Sequence, residues 1–176
     1  MRLLGIVLVL GLVFQLSPAL ADGQIYHDRS ITFTAPDDWT NLNVPPPAST
    51  EDSTLVAMFV KDAGHQNARA IQIVVKDFDG NLDAFDSAYE KELKTKSDST
   101  FITSKKVTLS NGMPAYWLKV SQGSEVGQYS RRYEYVIIDL KRGITVSVIG
   151  RQGDFDEKEA QAALAGLSVV AYPRDR

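Results

Sequence analysis

The sequence predicts an α+β domain, a central antiparallel sheet with helices packed on it. Three observations carry this. Strand-like segments follow one another without intervening helices over residues 24–75 and 101–149, Asn111-Gly112 joins two of them as a tight hairpin, and the apolar period lengthens to that of a helix only over Asn81–Thr95 and after Asp154. Consecutive strands with segregated helices mark an antiparallel sheet, not a parallel, doubly wound one.

Residues 1–21 stand apart. Arg2 supplies a positive start, Leu3 to Leu16 an apolar run, and Ala19-Leu20-Ala21 a small-x-small cleavage site. The run is shorter than the roughly 20 residues that span a bilayer, and Pro18 ends it. The expectation is a signal peptide cut after Ala21, a periplasmic or secreted protein, and no stable membrane span after cleavage; an uncleaved anchor is the alternative. Cysteine is absent, which excludes disulfides and a lipid-modified cysteine. Residues 22–176 suit one domain, since a chain of this size buries about 70% of its unfolded surface. Arg2 is the leader's only charged residue, so the remainder is one unit more negative than the full chain's −3. That balance argues against a nucleic-acid partner, whose footprint is a basic stripe.

The elements follow in order. Gln24 to Asp28 is extended, and Ser30 to Thr34 alternates Ile31 and Phe33 against Thr32 and Thr34. Pro36 stops ladder pairing, and Trp39 is expected to fold back over the apolar face. Pro45-Pro46-Pro47 through Thr54 is a surface loop by composition. Leu55 to Val60 and Ala70 to Val75 are apolar on both faces, which predicts strands covered on both sides, joined by a hairpin loop over Asp62 to Asn67. Leu82, Phe85, Tyr89 and Leu93 then recur at helical spacing, with acids at the start and lysines at the end. Phe101 to Leu109 and Met113 to Ser121 flank Asn111-Gly112, read as a turn with positive φ at both central residues. Gly123 to Gly127 reads as a polar turn. Tyr129 to Leu140, a turn at Lys141-Arg142-Gly143, and Ile144 to Ile149 make a second hairpin. Asp154 with Glu157 reads as a capping box for a closing helix that buries Ala160, Ala163, Leu164 and Leu167.

The phrase Phe33-x-x-Pro36-x-x-Trp39, the helix after a sheet pair, Asn111-Gly112-Met113-Pro114-Ala115-Tyr116 in a hairpin, and the late strand pair with a closing helix together resemble the PsbP-like superfamily, which includes bacterial DcrB-like proteins. The likeness spans nearly all of residues 22–176. It implies an α/β/α sandwich around an antiparallel sheet, used mostly as a non-catalytic binding or assembly module. Photosynthetic members attach to photosystem II, and some bacterial relatives chaperone secretion effectors. The resemblance carries over no catalytic residue, because the superfamily has no shared active site. The missing cysteine departs from its lipoprotein members.

Chemistry is sparse. Asp77, Asp79, Asn81 and Asp83 place oxygen side chains at alternate positions, as a calcium loop does, but Gly80 falls fourth instead of sixth and residue 88 is Ala where a closing Glu belongs. A strand end, an Asp-Gly turn and a helix cap use the same residues without a metal. Only His27 and His65 are available for catalysis or zinc, and no Gly-x-Ser-x-Gly elbow occurs. Tyr129, Arg131, Tyr133, Tyr135 and Ile137 line one face of a strand, with Trp117 across the hairpin. Aromatic rings beside a guanidinium can grip a sugar, a peptide or a partner loop, so Trp117, Tyr129, Arg131 and Tyr133 are the candidate binding residues; the alternative is that Tyr135 and Ile137 are core while Tyr129 and Arg131 sit at a solvated strand end. The expected function is an exported, non-catalytic module that binds an unknown protein or small ligand in the cell envelope, with no cofactor. The alternative is an envelope hydrolase or metal-dependent enzyme built from scattered Asp, Glu, His and Ser, which requires a pocket where His27 or His65 meets two carboxylates.

Overall fold

The computed structural model describes residues 25–28, 31–42, 53–95, 99–123 and 129–169. The expected leader over residues 1–21, the proline loop over 45–52 and the polar turn over 124–127 lie outside the described residues, as does the side chain of Tyr129.

Strand β1 (Ile25–Asp28) pairs antiparallel with β2 (Ile31–Thr34), placing Tyr26 opposite Phe33. In β2 the alternation read from the sequence is the one in use: Ile31 and Phe33 are buried, whereas Thr32 and Thr34 point away from the core. After Pro36 the chain reverses within one turn, Trp39 N–H donating to the Pro36 carbonyl at 3.0 Å, and the indole is buried as expected. There follow β3 (Thr40–Asn41), β4 (Thr54–Lys61), β5 (Arg69–Asp77), α1 (Leu82–Thr95), β6 (Ser99–Thr108), β7 (Pro114–Gly123), β8 (Tyr129–Asp139), β9 (Arg142–Arg151), α2 (Glu157–Ala163) and β10 (Leu167–Val169).

Among the described residues the strands form a seven-stranded sheet, ordered β3-β4-β5-β9-β8-β7-β6, and a three-stranded sheet, β1-β2-β10, with antiparallel pairing throughout. One face of the large sheet carries Phe59, Ile71, Val148 and Tyr133 in a cross-strand row, and Ala57, Ile73, Val146, Tyr135 and Trp117 in the next. These pack with Ile31, Phe33, Leu167 and Val169 of the small sheet and with Ala160 and Leu164 of α2. On the opposite face, Leu118, Val120 and Val136 pack under Phe85 and Leu93 of α1. The architecture is therefore α+β, an antiparallel sheet with a helix on each side. Each fully buried aliphatic or aromatic chain contributes about 1.5–3 kcal/mol of gross hydrophobic stabilisation.

Local details differ from the expectations, each for a physical reason. β4 and β5 are not covered on both sides: α1 packs on β6, β7 and β8, which leaves Met58, Gln72 and Val74 half-buried. At the β6–β7 hairpin only Gly112 has positive φ, 85°, and its N–H donates to the Leu109 carbonyl at 2.9 Å. This is an ordinary turn closed by a left-handed glycine, not one with two left-handed residues. The two-residue, doubly left-handed turn is at Leu140 (φ 45°) and Lys141 (φ 63°), while Arg142 and Gly143 belong to β9. Gly143 is needed there because a Cβ would lie 2.2 Å from the Phe85 ring. The capping box of α2 is Asp156 with Glu159, two residues later than Asp154 with Glu157, with reciprocal hydrogen bonds of 2.9 Å. Phe155 decides the shift. Its ring is buried against Gly150, where a Cβ would stand 2.8 Å from it, and the helix begins after that anchor. Leu167 lies in β10, not in the helix.

Candidate functional site

The calcium loop suggested by Asp77, Asp79, Asn81 and Asp83 is not formed. Asn81 Oδ1 accepts from Ala84 N–H at 2.9 Å and caps α1, Asp83 accepts from Lys106 at 2.7 Å and from the Tyr116 hydroxyl at 3.0 Å, and Asp79 pairs with Lys141 at 3.4 Å. These partners hold Asp83 below the usual carboxylate range, the Lys106 hydrogen bond first. No three His, Asp or Glu side chains are gathered for a metal among the described residues. The histidines are dispersed as well. His27 is exposed and hydrogen-bonds Thr32 at 2.8 Å, and His65 is exposed in the β4–β5 loop. The pocket that the hydrolase alternative requires, a histidine meeting two carboxylates, is absent among the described residues.

Trp117 and Tyr133 do share a face, but it is the core face. Tyr133 stacks on Trp117 at 5.9 Å and meets Phe155 edge-on at 5.5 Å. Trp117 is 2% and Tyr133 4% exposed, and the indole N–H donates to Glu157 Oε1 of α2 at 3.0 Å. As exposed grips these two are corrected: α2 and Phe155 cover them, so they build the floor under the surface and not the surface itself. Glu157 also accepts from Lys105 at 3.0 Å, and its carboxyl is held below the usual range, first by that bond.

Arg131 lies one alternation beyond Tyr133 on the same strand face, where the core ends. It is half-buried, its Nε is shut off from water without a partner, and its guanidinium makes no hydrogen bond or ion pair with any described residue. Directly across β7 stands Ser121, and directly across β9 is Gly150, which Phe155 covers. Ser121 Oγ donates to Gln152 Oε1 at 2.9 Å. Lys119, two residues from Ser121, lies opposite Tyr133 and places Nζ 5.6 Å from its ring centroid. The next cation along the row is already engaged: Arg69 donates to the Asp154 carbonyl, pairs with Glu159 at 3.8 Å and lies over Phe155. Sequence reasoning found Arg131 by alternation. It missed Lys119, Ser121 and Gln152, because the β7–β8 register fixes them and the sequence carries no short turn there to set it.

Two further charged groups are buried, each with a structural role. Arg142 is 7% exposed and donates to Asp28 at 2.7 Å and to Asp139 at 3.1 Å, tying β1 to the β8–β9 turn. Burial and then the Asp28 charge push the adjacent Tyr26 hydroxyl up to about 12. Under α1, Asp86 is 6% exposed and lies 3.4 Å from the Ser104 hydroxyl that bonds it. Burial, followed by the charges of Glu90, Asp83 and Glu134, raises its carboxyl to about 6.

Solved structures share this arrangement. The solution structure of cyanobacterial PsbP (CyanoP) from Synechocystis sp. PCC 6803 superposes with a TM-score of 0.57 at 13% identity, covering 87% of this chain and 96% of that one. The fold is PsbP-like. LpqN of Mycobacterium tuberculosis, described as involved in cell envelope biogenesis, matches with a TM-score of 0.54 at 16% identity over 78% of this chain and 83% of its own. PA94 of Pseudomonas aeruginosa, a putative regulator, matches with a TM-score of 0.52 at 13% identity over 85% and 96%. At such identities the PsbP-like likeness concerns the fold alone. No protein-family model and no curated protein matches the sequence. Among the described residues no helix is long and apolar enough to cross a membrane.

Proposed function

We propose that this chain is an exported, non-catalytic binding module of the cell envelope, which engages its partner through the end of the large sheet around Arg131. The observation that carries the reading is the half-buried guanidinium of Arg131 with no partner in the described chain. A cation held this way has given up part of its hydration without receiving an internal anion, and such unsatisfied groups call for an explanation outside the fold. The leader-like residues 1–21 support export. The envelope role described for LpqN and the PsbP-like fold support a binding or assembly function.

Affinity capture from envelope extract with the tagged protein tests this. The wild-type chain is expected to recover one stoichiometric partner that Arg131→Gln loses. Capture indifferent to Arg131 would remove the surface from the proposal, and turnover of a hydrolase substrate panel by the purified protein would remove the non-catalytic reading.

A further inference from the structure

We infer that Arg131 is a carboxylate receptor: the face formed by Arg131, Lys119, Ser121 and Gln152 takes a ligand that presents one carboxylate, from an acidic protein segment or from a free organic acid. This deepens the proposal above and rests on its choice of surface.

The groups gathered there are donors in search of an acceptor. Arg131 offers a planar fork of N–H groups that fits a carboxylate through two parallel hydrogen bonds. Gln152 spends its amide oxygen on Ser121 and keeps its NH2 as a further donor, and Lys119 adds an ammonium group two residues along β7. The acids of α2 are occupied. Glu157 accepts from Lys105 and Trp117, and Glu159 completes the capping box and pairs with Arg69. Arg131 has thus no acceptor in the described chain, and its half-buried position with a water-excluded Nε limits its freedom. A guanidinium ordered before binding loses less entropy when its ligand arrives.

Charge selects the class of ligand. Lys61 is paired with Asp38, Arg69 with Glu159, and Glu157 is taken by Lys105, so the cations of this face without a carboxylate partner among the described residues are Arg131 and Lys119, whose ammonium lies over the Tyr133 ring. A carboxylate fits this pair, accepting from the Arg131 fork with the Lys119 charge two residues along β7. The start of α2 carries Asp156, Glu157 and Glu159, and repulsion from these acids grows with the charge of the ligand, which favours a carboxylate monoanion over a phosphate dianion.

Thermal melts and titrations of the purified protein at pH 7.5 decide the matter, with sodium propionate, an acetylated and amidated Gly-Gly-Glu-Gly-Gly peptide, and sodium phosphate as probes, each against sodium chloride at equal ionic strength. At least one carboxylate probe is expected to raise Tm saturably above the chloride control, and the tighter of the two identifies the source. Phosphate is expected to do no more than chloride. Arg131→Gln should raise the apparent Kd at least tenfold, and Arg131→Lys, which keeps the charge but not the fork, at least threefold. Ser121→Asp provides a second route: a carboxylate directly opposite Arg131 should raise Tm without any probe and abolish the response to propionate and peptide. Carboxylates no better than chloride, titration of Arg131→Gln like the wild type, or a phosphate response equal to the carboxylate response would each overturn the inference. If that happened while partner capture still depended on Arg131, the ligand class alone would fall; capture independent of Arg131 would remove the surface as well.

Discussion

Two arginines on the same face of the large sheet, at opposite ends of the paired strands β8 and β9, have opposite surroundings. Arg142 is met by Asp28 from the small sheet and Asp139 from its own hairpin, whereas Arg131 is met, among the described residues, by Ser121, a glycine and no carboxylate. Arg142 is buried and Arg131 half-buried, so both have given up hydration. The difference is where the counter-charge comes from. Folding supplies it for Arg142, which makes that end a joint between sheets; at Arg131 folding leaves the demand open, and the residue becomes available for recognition.

Substitutions break or sharpen this contrast, and an uncharged core position sets its scale. Trp39→Ala should destabilise by about 3–5 kcal/mol in a denaturant melt, as truncation of a buried aromatic does; a loss below about 1 kcal/mol would mean that the indole does not close the core. At the satisfied end, Asp139→Asn removes a carboxylate from a buried guanidinium and should cost about 3 kcal/mol. If it left the melting curve unchanged, Arg142 would be no joint and the contrast with Arg131 would collapse.

The other face of the sheet gives an intermediate case, a charge that folding tolerates without neutralising. Asp86 takes up a proton near pH 6 in the folded protein, above its ordinary 3.8. The folded state therefore binds more protons than the unfolded one between these values, and stability should fall as pH rises from about 4 to 6 and then level off. Asp86→Asn should be more stable than wild type by about 2 kcal/mol at pH 7 and no more stable at pH 4, read from melts across that range. A constant difference at both pH values would contradict the assignment. The smallest effect belongs to the open end: Arg131→Gln should change stability by less than about 0.5 kcal/mol, within the range of ordinary surface positions. A large loss there would make Arg131 a structural residue like Arg142.

Much of this was legible where a local signal coincides with the final environment. The strict alternation of Ile31 to Thr34, the helical period over Leu82 to Leu93, and consecutive strands identify the layers, because each is decided by a face that must be buried. Turns were less legible. Asn111-Gly112 advertises a doubly left-handed turn and forms a simpler one, while Leu140-Lys141 forms the doubly left-handed turn with no such signal. There the neighbours decide: Arg142 is held by two carboxylates, and Phe78 N–H donates to the Lys141 carbonyl at 2.9 Å. The helix start was ambiguous for a similar reason. Asp154-Phe155-Asp156-Glu157-Lys158-Glu159 contains two overlapping capping boxes, and only the seat of Phe155 on Gly150 chooses between them. For the site, alternation separated Arg131 from its neighbours by position but could not tell which residues α2 covers. That Glu157 of α2 bonds Trp117 and Phe155 meets Tyr133, while Arg131 stays half-buried, is a tertiary fact.

The small sheet has a consequence for the order of events in the life of the chain. β2 is held between β1 and β10, so a strand at residues 31–34 waits for residues 167–169 to complete its ladder. Pairings so distant in sequence form late and slowly. A growing chain can build the β6–β9 meander early, yet the layer that covers Phe33, Phe59 and Trp39 cannot shut until residues 167–169 are available. Under the export proposed above, closure by β10 postpones the native state until residues 167–169 have completed their transit.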